Sequence, residues 1–434
     1  MLGAVPWIAE LSVWHAIVIS FAVLGELLAI VFVYRVLVRG GSPASTLLWV
    51  AVILSAPWLG LLLYYLLPRR LQLRRLKRMR ARGQRLQAVR GAEVGKGGDG
   101  AAGRGGRELR GALGALLDAD VGISEGNTLR WLAGGEEFFA AARTAIERAQ
   151  RSVHCVVYIL RPDDTGRRFL ACLTAAARRG VQVRLCFDSF GSFGLRTAHL
   201  AELRAAGGRA EPFLPILWKR RPFTVNLRNH RKLLVIDSEV GFVGGRNIAD
   251  EYRLDRVGNL RRWFDAMLEL RGPVVQQLQE LFVQDWCTAT DEVIADVAPP
   301  APAPPVPEPG ASRVAVVGSG PDQESPSLLF ALVQAITDAQ SEIVLHSPYL
   351  VLPAVLRFSL ELAVARGVLV SVYTNGARAE AAFLYQAQRH HYRELLRAGI
   401  AVYETIDEYN HAKLLVVDER TVLVGSANMD LRSA

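Results

Sequence analysis

Two short segments of the chain carry the same pattern, His-x-Lys-x-x-x-x-Asp. Together they supply six polar side chains: His230, Lys232 and Asp237 in the first copy, and His411, Lys413 and Asp418 in the second. Imidazole groups serve acid–base and nucleophilic catalysis, and ammonium groups bind phosphate. Two of the five lysines in this arginine-rich chain lie in these motifs. The two motif lysines therefore indicate positions that need a compact ammonium group and where an arginine guanidinium could not replace it.

The apolar residues 233–236 predict a strand directly after the first His–Lys pair. Alternate side chains of a strand share a face, so His230 and Lys232 are expected to point the same way. Asp237 has the opposite parity and follows the strand. We therefore expect Asp237 and Asp418, although they belong to the catalytic motif, to brace a turn. Direct chemistry by these aspartates remains the alternative.

A second polar run follows each motif and adds candidate substrate-binding residues. These are Gly245 and Asn247 after the first motif, and Ser426 and Asn428 after the second. Two imidazoles, two ammonium groups and two amides brought together would form a phosphate site. One imidazole would attack phosphorus, while the other would protonate the leaving alcohol and deprotonate the incoming one. Lysine and asparagine would stabilise the phosphoryl oxygens, so this chemistry calls for no metal or other cofactor.

Longer segments around the motifs repeat in the same order and with the same spacing. The matching pairs are 145–160 with 335–350, 175–189 with 362–376, and 229–247 with 410–428. Each copy alternates helical periodicity with short β-branched runs, which predicts an α/β fold with helices outside the sheet. The duplication predicts pseudo-two-fold symmetry, with equivalent residues meeting at the interface.

The formal charge of +9 comes from one place, because residues 69–90 hold ten of the 51 basic residues and the other 41 nearly balance 42 acidic ones. An uncharged 21-residue run at 47–67 precedes this block, and residues 14–34 form another apolar run interrupted only by Glu26. Each run could cross a hydrocarbon core of about 30 Å. We predict an N-terminal two-helix transmembrane hairpin, with the basic block holding the rest of the chain on the cytoplasmic side and contacting anionic lipids. A cleaved signal peptide is the alternative, but the first ten residues lack Lys and Arg.

Two further composition shifts mark linkers, with eight glycines in residues 91–106 and seven prolines in residues 298–310. The predicted organisation has five parts: a transmembrane hairpin at 1–68, a basic segment and glycine-rich linker at 69–107, a first α/β domain at 108–297, a proline-rich linker at 298–311, and a second α/β domain at 312–434.

At the motif residues the chain resembles the phospholipase D superfamily, and with its N-terminal hairpin it resembles the bacterial cardiolipin synthase family. Other similar stretches are 247–252, 347–349, and Trp263 with Asp265. The resemblance implies two phospholipase D-like domains in a multi-pass protein of the bacterial inner membrane. It implies transfer of a phosphatidyl group between two phosphatidylglycerol molecules with release of glycerol. It also implies that His230 is the nucleophile, that His411 is the acid and base, and that Asp265 orients a histidine.

Several alternatives stay open at this stage. Water could replace the lipid acceptor, which would make the chain a phospholipase D hydrolase, and an inactive membrane scaffold is a further possibility. A nuclease is disfavoured by the apolar hairpin and the nearly neutral catalytic part, so we expect anionic phospholipids and a membrane as partners, and no nucleic acid. The resemblance also implies a further stretch beyond Ser433 that supplies the second half's counterpart of Asp265, so a sequence ending at Ala434 predicts a truncated second domain.

Overall fold

The structure is a computed structural model that describes part of the chain in detail. The described residues are 6–38, 43–66, 122–213, 228–255, 262–290, 292, 294, 312–319, 327–378 and 382–428. The predicted basic block, glycine-rich linker and proline-rich linker lie outside these residues. The chain forms two compact units, Met1–Arg74 and Arg75–Ala434, which are described separately.

The first unit begins with a long apolar helix, α1 (Pro6–Val38). Its segment Trp14–Val38 spans 25 residues and is long and apolar enough to cross a membrane. Side chains such as Ile17 and Ile19 are more than half exposed, as a lipid-facing helix requires. Among the described residues, α1 is the one helix that meets this length and composition.

The predicted second span is broken into two helices, α2 (Pro43–Ser55) and α3 (Pro57–Leu66). Pro57 has no N–H to donate, and its ring excludes the carbonyl four residues earlier, so the helix ends before it. The chain then turns sharply. The turn brings Gly60 so close to Ile53 that a Cβ on Gly60 would lie 2.6 Å from the Cα of Ile53. The prediction of one continuous helix at 47–67 is therefore wrong: the two pieces have 13 and 10 residues.

Aromatic contacts join the three helices of this unit. Trp58 stacks on Phe21 with ring centroids 4.2 Å apart, and Tyr64 meets Phe32 and Trp49 edge-on at 5.5 and 5.4 Å. The broken α2–α3 segment thus packs against α1 through rings.

The second unit starts with mixed α/β structure that we call the first half. Its strands are β1 (Ser124–Leu132), β2 (Ser152–Val157), β3 (Gln182–Asp188), β4 (Arg209–Phe213), β5 (Leu233–Ile236), β6 (Val240–Gly244), β7 (Arg262–Phe264) and β8 (Met267–Arg271). Its helices are α4 (Gly135–Arg148), α5 (Asp164–Arg178), α6 (Ala201–Ala205), α7 (Asp250–Arg253) and α8 (Val274–Thr290). The strand predicted at 233–236 is β5.

The rest of the second unit supplies a further strand, β9 (Ser312–Val314), and a second half. The strands of the second half are β10 (Glu342–His346), β11 (Leu369–Asn375), β12 (Ala401–Thr405), β13 (Glu408–Asn410), β14 (Leu414–Val417) and β15 (Thr421–Val424). Its helices are α9 (Ser327–Asp338), α10 (Ala354–Ala365) and α11 (Ala382–Arg397).

Two large sheets hold most of these strands, and β7 and β13 form a separate two-stranded sheet. The first has the order β4-β3-β2-β5-β6-β8-β1-β9 and the second β12-β11-β10-β14-β15. In each large sheet the first three strands are parallel to one another. The fourth strand runs antiparallel to the third, and the fifth runs antiparallel to the fourth. Since β5 runs against β2, and β14 against β10, each motif histidine lies at the edge where the parallel strands end.

Strand β9 belongs in sequence to the second predicted domain but pairs with β1 of the first half. Ser124 is paired with Val314 and Asn127 with Ser312. The Asn127 amide donates to the carbonyl of Ser312 at 3.2 Å. The division predicted at 311/312 therefore does not separate the two sheets.

Asp237 ends its strand in a turn and binds the segment that leads into β2. Its carboxylate accepts the N–H groups of Gln150, Arg151 and Ser152 at 2.7–2.8 Å. Positive φ angles of 55° and 58° at residues 237 and 238 shape this turn.

Asp418 repeats this contact in the second half. It accepts the N–H groups of Gln340, Ser341 and Glu342 at 2.8–2.9 Å. These bonds hold the pKa of Asp418 well below its usual range. Both aspartates thus tie a hairpin to the start of the neighbouring strand.

We predict that Asp237→Ala lowers the stability of the fold. Three backbone N–H groups would lose their acceptor, so the free energy of unfolding should fall by about 1–3 kcal/mol. Chemical denaturation of the full chain in detergent measures this. Glu239→Ala is the control, because Glu239 is exposed and pairs with an exposed part of Arg151. An unchanged denaturation midpoint combined with lost turnover would instead favour a direct chemical role for Asp237.

Candidate active site

An asparagine directly before each motif histidine shapes the turn that leads into the strand. The Asn229 side-chain oxygen accepts the N–H of Arg231 at 3.0 Å, and that of Asn410 accepts the N–H of Ala412 at 3.2 Å. Bonds of this kind fix a local turn. The His-Lys motif alone did not indicate a role for these asparagines, although Asn-His occurs in both copies.

Each of these asparagines is held by a residue at the end of a parallel strand in its own half. Asp188, at the end of β3, accepts the N–H of Asn229 at 3.3 Å, and Asn375, at the end of β11, accepts that of Asn410 at 2.7 Å. Burial raises the pKa of Asp188. The parallel strands therefore position both histidines through their carboxyl ends.

The two motif lysines are buried on the side of their strands that the histidines occupy, as predicted from parity. Lys232 Nζ donates to the backbone carbonyl of His230 at 2.7 Å, and Lys413 makes the equivalent bond to His411. Lys232 is 3% exposed and Lys413 is 1% exposed. Burial, and then the charge of Lys413, hold the pKa of Lys232 well below its usual range. Two ammonium groups that repel each other in a dry pocket favour an anion between them.

His411 is oriented by a carboxylate from the other half of the unit. Its Nδ1 lies 2.6 Å from Asp265 Oδ2, and the rings of Trp263 and Tyr252 surround it with centroids 5.1 and 5.6 Å away. Burial, and then Lys413, lower the pKa of His411 to about 4, although Asp265 opposes this shift. The resemblance implied that Asp265 orients a histidine, and the histidine that Asp265 contacts is His411.

His230 is oriented differently, by a backbone carbonyl. Its Nδ1 lies 2.7 Å from the carbonyl oxygen of Ser426. A carbonyl can only accept, so Nδ1 carries the proton and Nε2 keeps a lone pair. Desolvation, and then the charges of Lys232 and Lys413, hold the pKa of His230 well below its usual value. Burial and the two nearby charges thus disfavour the protonated form of His230, and the Ser426 carbonyl fixes its tautomer.

Gly245, predicted to bind substrate, makes room for Asp265 instead. A Cβ at Gly245 would lie 2.0 Å from Asp265 Oδ1. The N–H of Gly245 also donates to the carbonyl of Ala266 at 2.9 Å. Ser426 holds the corresponding place in the second motif, where its carbonyl meets His230. Position 245 therefore requires glycine, whereas the contact at Ser426 is made by its backbone carbonyl.

The two predicted asparagines occupy corresponding places after β6 and β15. Asn247 is buried, and its side-chain oxygen accepts the N–H of Ile159 at 3.0 Å. Asn247 also contacts the hydroxyl of Tyr252, which lies against His411. Asn428 is half-buried.

Asp237 and Asp418 do not join this group. Each lies at the far end of its four-residue strand from the histidine, with its carboxylate on backbone N–H groups. These are the contacts of groups that brace a turn, as parity led us to expect, and each strand separates its aspartate from its histidine.

The histidines meet in one pocket because the halves exchange contacts. Strand β13, which leads to His411, pairs in parallel with β7. The N–H of His411 donates to the carbonyl of Phe264 at 2.7 Å. Ser426 of the second half orients His230, and Asp265 of the first half orients His411. Each half thus supplies the group that fixes the imidazole of the other.

Comparison with known proteins agrees with this geometry. The cardiolipin synthase, PLD-like domain family matches residues 143–286 and 332–434. A cardiolipin synthase of Geobacillus thermodenitrificans is 34% identical over 95% of this chain and 82% of its own length. The major cardiolipin synthase of Bacillus subtilis is 33% identical over 71% of this chain and 64% of its own length. A phosphatidylserine synthase of Haemophilus influenzae shares the fold at 14% identity and a TM-score of 0.54, covering 74% of this chain and 83% of its own. The chain therefore belongs to the cardiolipin synthase family of phospholipase D-like proteins.

Proposed function

We propose that this chain is a cardiolipin synthase that works through a phosphohistidine. The observation that carries the mechanism is the pair of crossed contacts, His230 to the carbonyl of Ser426 and His411 to Asp265, with two buried lysines beside them. The family supplies the substrate class, a phosphatidyl group and a phosphatidylglycerol acceptor.

In the first step, Nε2 of His230 attacks the phosphorus of phosphatidylglycerol. The bond from phosphorus to the glycerol oxygen breaks, and protonated His411 gives its proton to that oxygen, so glycerol leaves. The phosphatidyl group remains bonded to His230. Lys232 and Lys413 stabilise the charge on the phosphoryl oxygens.

In the second step, His411 takes the proton from a hydroxyl of a second phosphatidylglycerol. That oxygen attacks phosphorus, the P–N bond breaks, and cardiolipin leaves with His230 neutral again. Two phosphatidylglycerol molecules become one cardiolipin and one glycerol.

The different partners of the two histidines support this division of roles. Asp265 stabilises a protonated His411, as an acid and base requires. The carbonyl of Ser426 holds Nδ1 of His230, which leaves Nε2 for attack on phosphorus. The shared order of five strands and the equivalent turns support a duplicated pair of domains related by a pseudo-two-fold axis.

The membrane arrangement is also part of the proposal. Helix α1 provides one span, and the apolar residues 43–66 accompany it as a broken segment. Ten basic residues at 69–90 then favour the cytoplasmic side of a bacterial membrane for the catalytic unit, and contact with anionic lipids. The division of the chain into segments given under Sequence analysis is part of this proposal, except that β9 pairs with the first half.

A direct test supplies labelled phosphatidylglycerol to membranes that contain the full chain. We expect cardiolipin and glycerol from the unchanged protein, and a loss of about four orders of magnitude or more in His230→Ala. His199→Ala is the matched control, because His199 is exposed on a short helix outside the pocket. Phosphatidic acid without cardiolipin would show that water is the acceptor and would overturn the synthase proposal.

Asp265→Asn tests the role of His411 through the pH profile. Asp265 raises the pKa of His411, so losing the carboxylate lowers that pKa further. The protonated imidazole needed for the first step then exists only at lower pH. We expect the alkaline limb of kcat/KM to move to lower pH, with a rate loss of about ten- to a hundred-fold. An alkaline limb that stays in place would mean that His411 is not the acid.

A further inference from the structure

Large apolar side chains lie exposed beside the pocket of the two histidines. Phe190 and Phe193, in the loop 189–194 after β3, are 52% and 86% exposed. Ile406, directly after β12, is 70% exposed. The ends of β3 and β12 lie at the edge of their sheets where the motif histidines lie. The exposed apolar groups, which we call the apolar rim, therefore flank the pocket from both halves.

The loop of the apolar rim is held firmly against the strand next to it. Asp188 Oδ1 accepts two N–H groups of this loop at 2.8 and 3.1 Å. The Ser192 hydroxyl accepts the N–H of Leu160 at 2.9 Å and donates to the carbonyl of Tyr158 at 3.1 Å. A Cβ on Gly191 would lie 2.3 Å from that carbonyl. Polar bonds and close packing thus display the phenyl rings outward.

A cation accompanies these rings. The guanidinium of Arg228 lies 5.4 Å from the ring centre of Phe190, and it is 3.8 Å from Asp188. Aromatic rings next to a cation are the side chains that favour the boundary between lipid head groups and acyl chains. A water-exposed apolar group gains by entering such a boundary.

We propose that the apolar rim docks on a bilayer that contains anionic phospholipids. Phe190, Phe193 and Ile406 enter the head-group boundary, so that a lipid phosphate passes into the pocket while its acyl chains stay in the membrane. The choice of occupant rests on the proposed function, since only a lipid substrate requires the pocket mouth to face a bilayer.

A polarity-sensitive dye on the full chain tests this docking. The dye is attached at Phe193→Cys, in a protein whose half-buried Cys172 is replaced by Ala, because the other three cysteines are buried. Leu369→Cys is the matched control: Leu369 is 71% exposed and begins β11, at the edge opposite the pocket. In phosphatidylglycerol vesicles we expect blue-shifted emission and quenching by acyl-chain bromines at position 193, and water-like emission at 369. Water-like emission at both positions would overturn the proposal, whether or not the protein makes cardiolipin.

Turnover provides a second measurement. Phe193→Ser should lower turnover of phosphatidylglycerol in vesicles about ten-fold, and leave turnover of a monomeric short-chain phosphatidylglycerol unchanged. Leu369→Ser should change neither. Equal losses on both substrates would place Phe193 in the fold or the pocket and overturn the docking role. If the dye at 193 enters the bilayer but no lipid is turned over, the proposed function fails and the docking surface stands.

Discussion

The site depends on keeping two ammonium groups out of water and close together. Lys232 and Lys413 are almost fully buried, and the charge of Lys413 lowers the pKa of Lys232. Burial of like charges is unfavourable unless hydrogen bonds and an opposite charge compensate it. The histidine carbonyls provide hydrogen bonds to both lysines, and Asp265 provides charge. The interface between the halves is where these requirements can be met together, since each half brings one lysine and the first half brings the carboxylate.

Two nearly equal motifs become unequal in this interface. Gly245 leaves space for Asp265, which reaches His411, whereas Ser426 in the equivalent position presents a carbonyl to His230. A carboxylate stabilises an imidazolium, and a carbonyl only fixes a tautomer. Among the described residues, the two positions thus contact different groups, which agrees with the division of roles proposed for the two imidazoles.

Local sequence patterns anticipated much of this arrangement and missed what depends on distant contacts. The alternation of side chains along β5 predicted that His230 and Lys232 share a face and that Asp237 lies apart from them. This prediction was possible because strand periodicity depends on local sequence alone. The carbonyl of Ser426 could not be predicted, since every residue has a carbonyl and only the tertiary fold aims this one. The pairing of β9 with β1 is likewise long-range. The break before Pro57 was within reach, since a proline in a helical run is a visible signal, but uniform hydropathy at 47–67 hid it.

The charges of the described residues around the two histidines also fit the expected substrate. Arg228 lies beside Asp188 and Arg246 binds Asp255, so these ion pairs contribute little net charge to the pocket. With His411 protonated for the first step of the proposed reaction, Lys232, Lys413 and His411 outweigh Asp265 by two positive charges, and a phosphodiester brings one negative charge. The carbonyl of Ser426 orients His230 without adding charge, so the pocket keeps the attraction that brings a lipid phosphate between the two lysines.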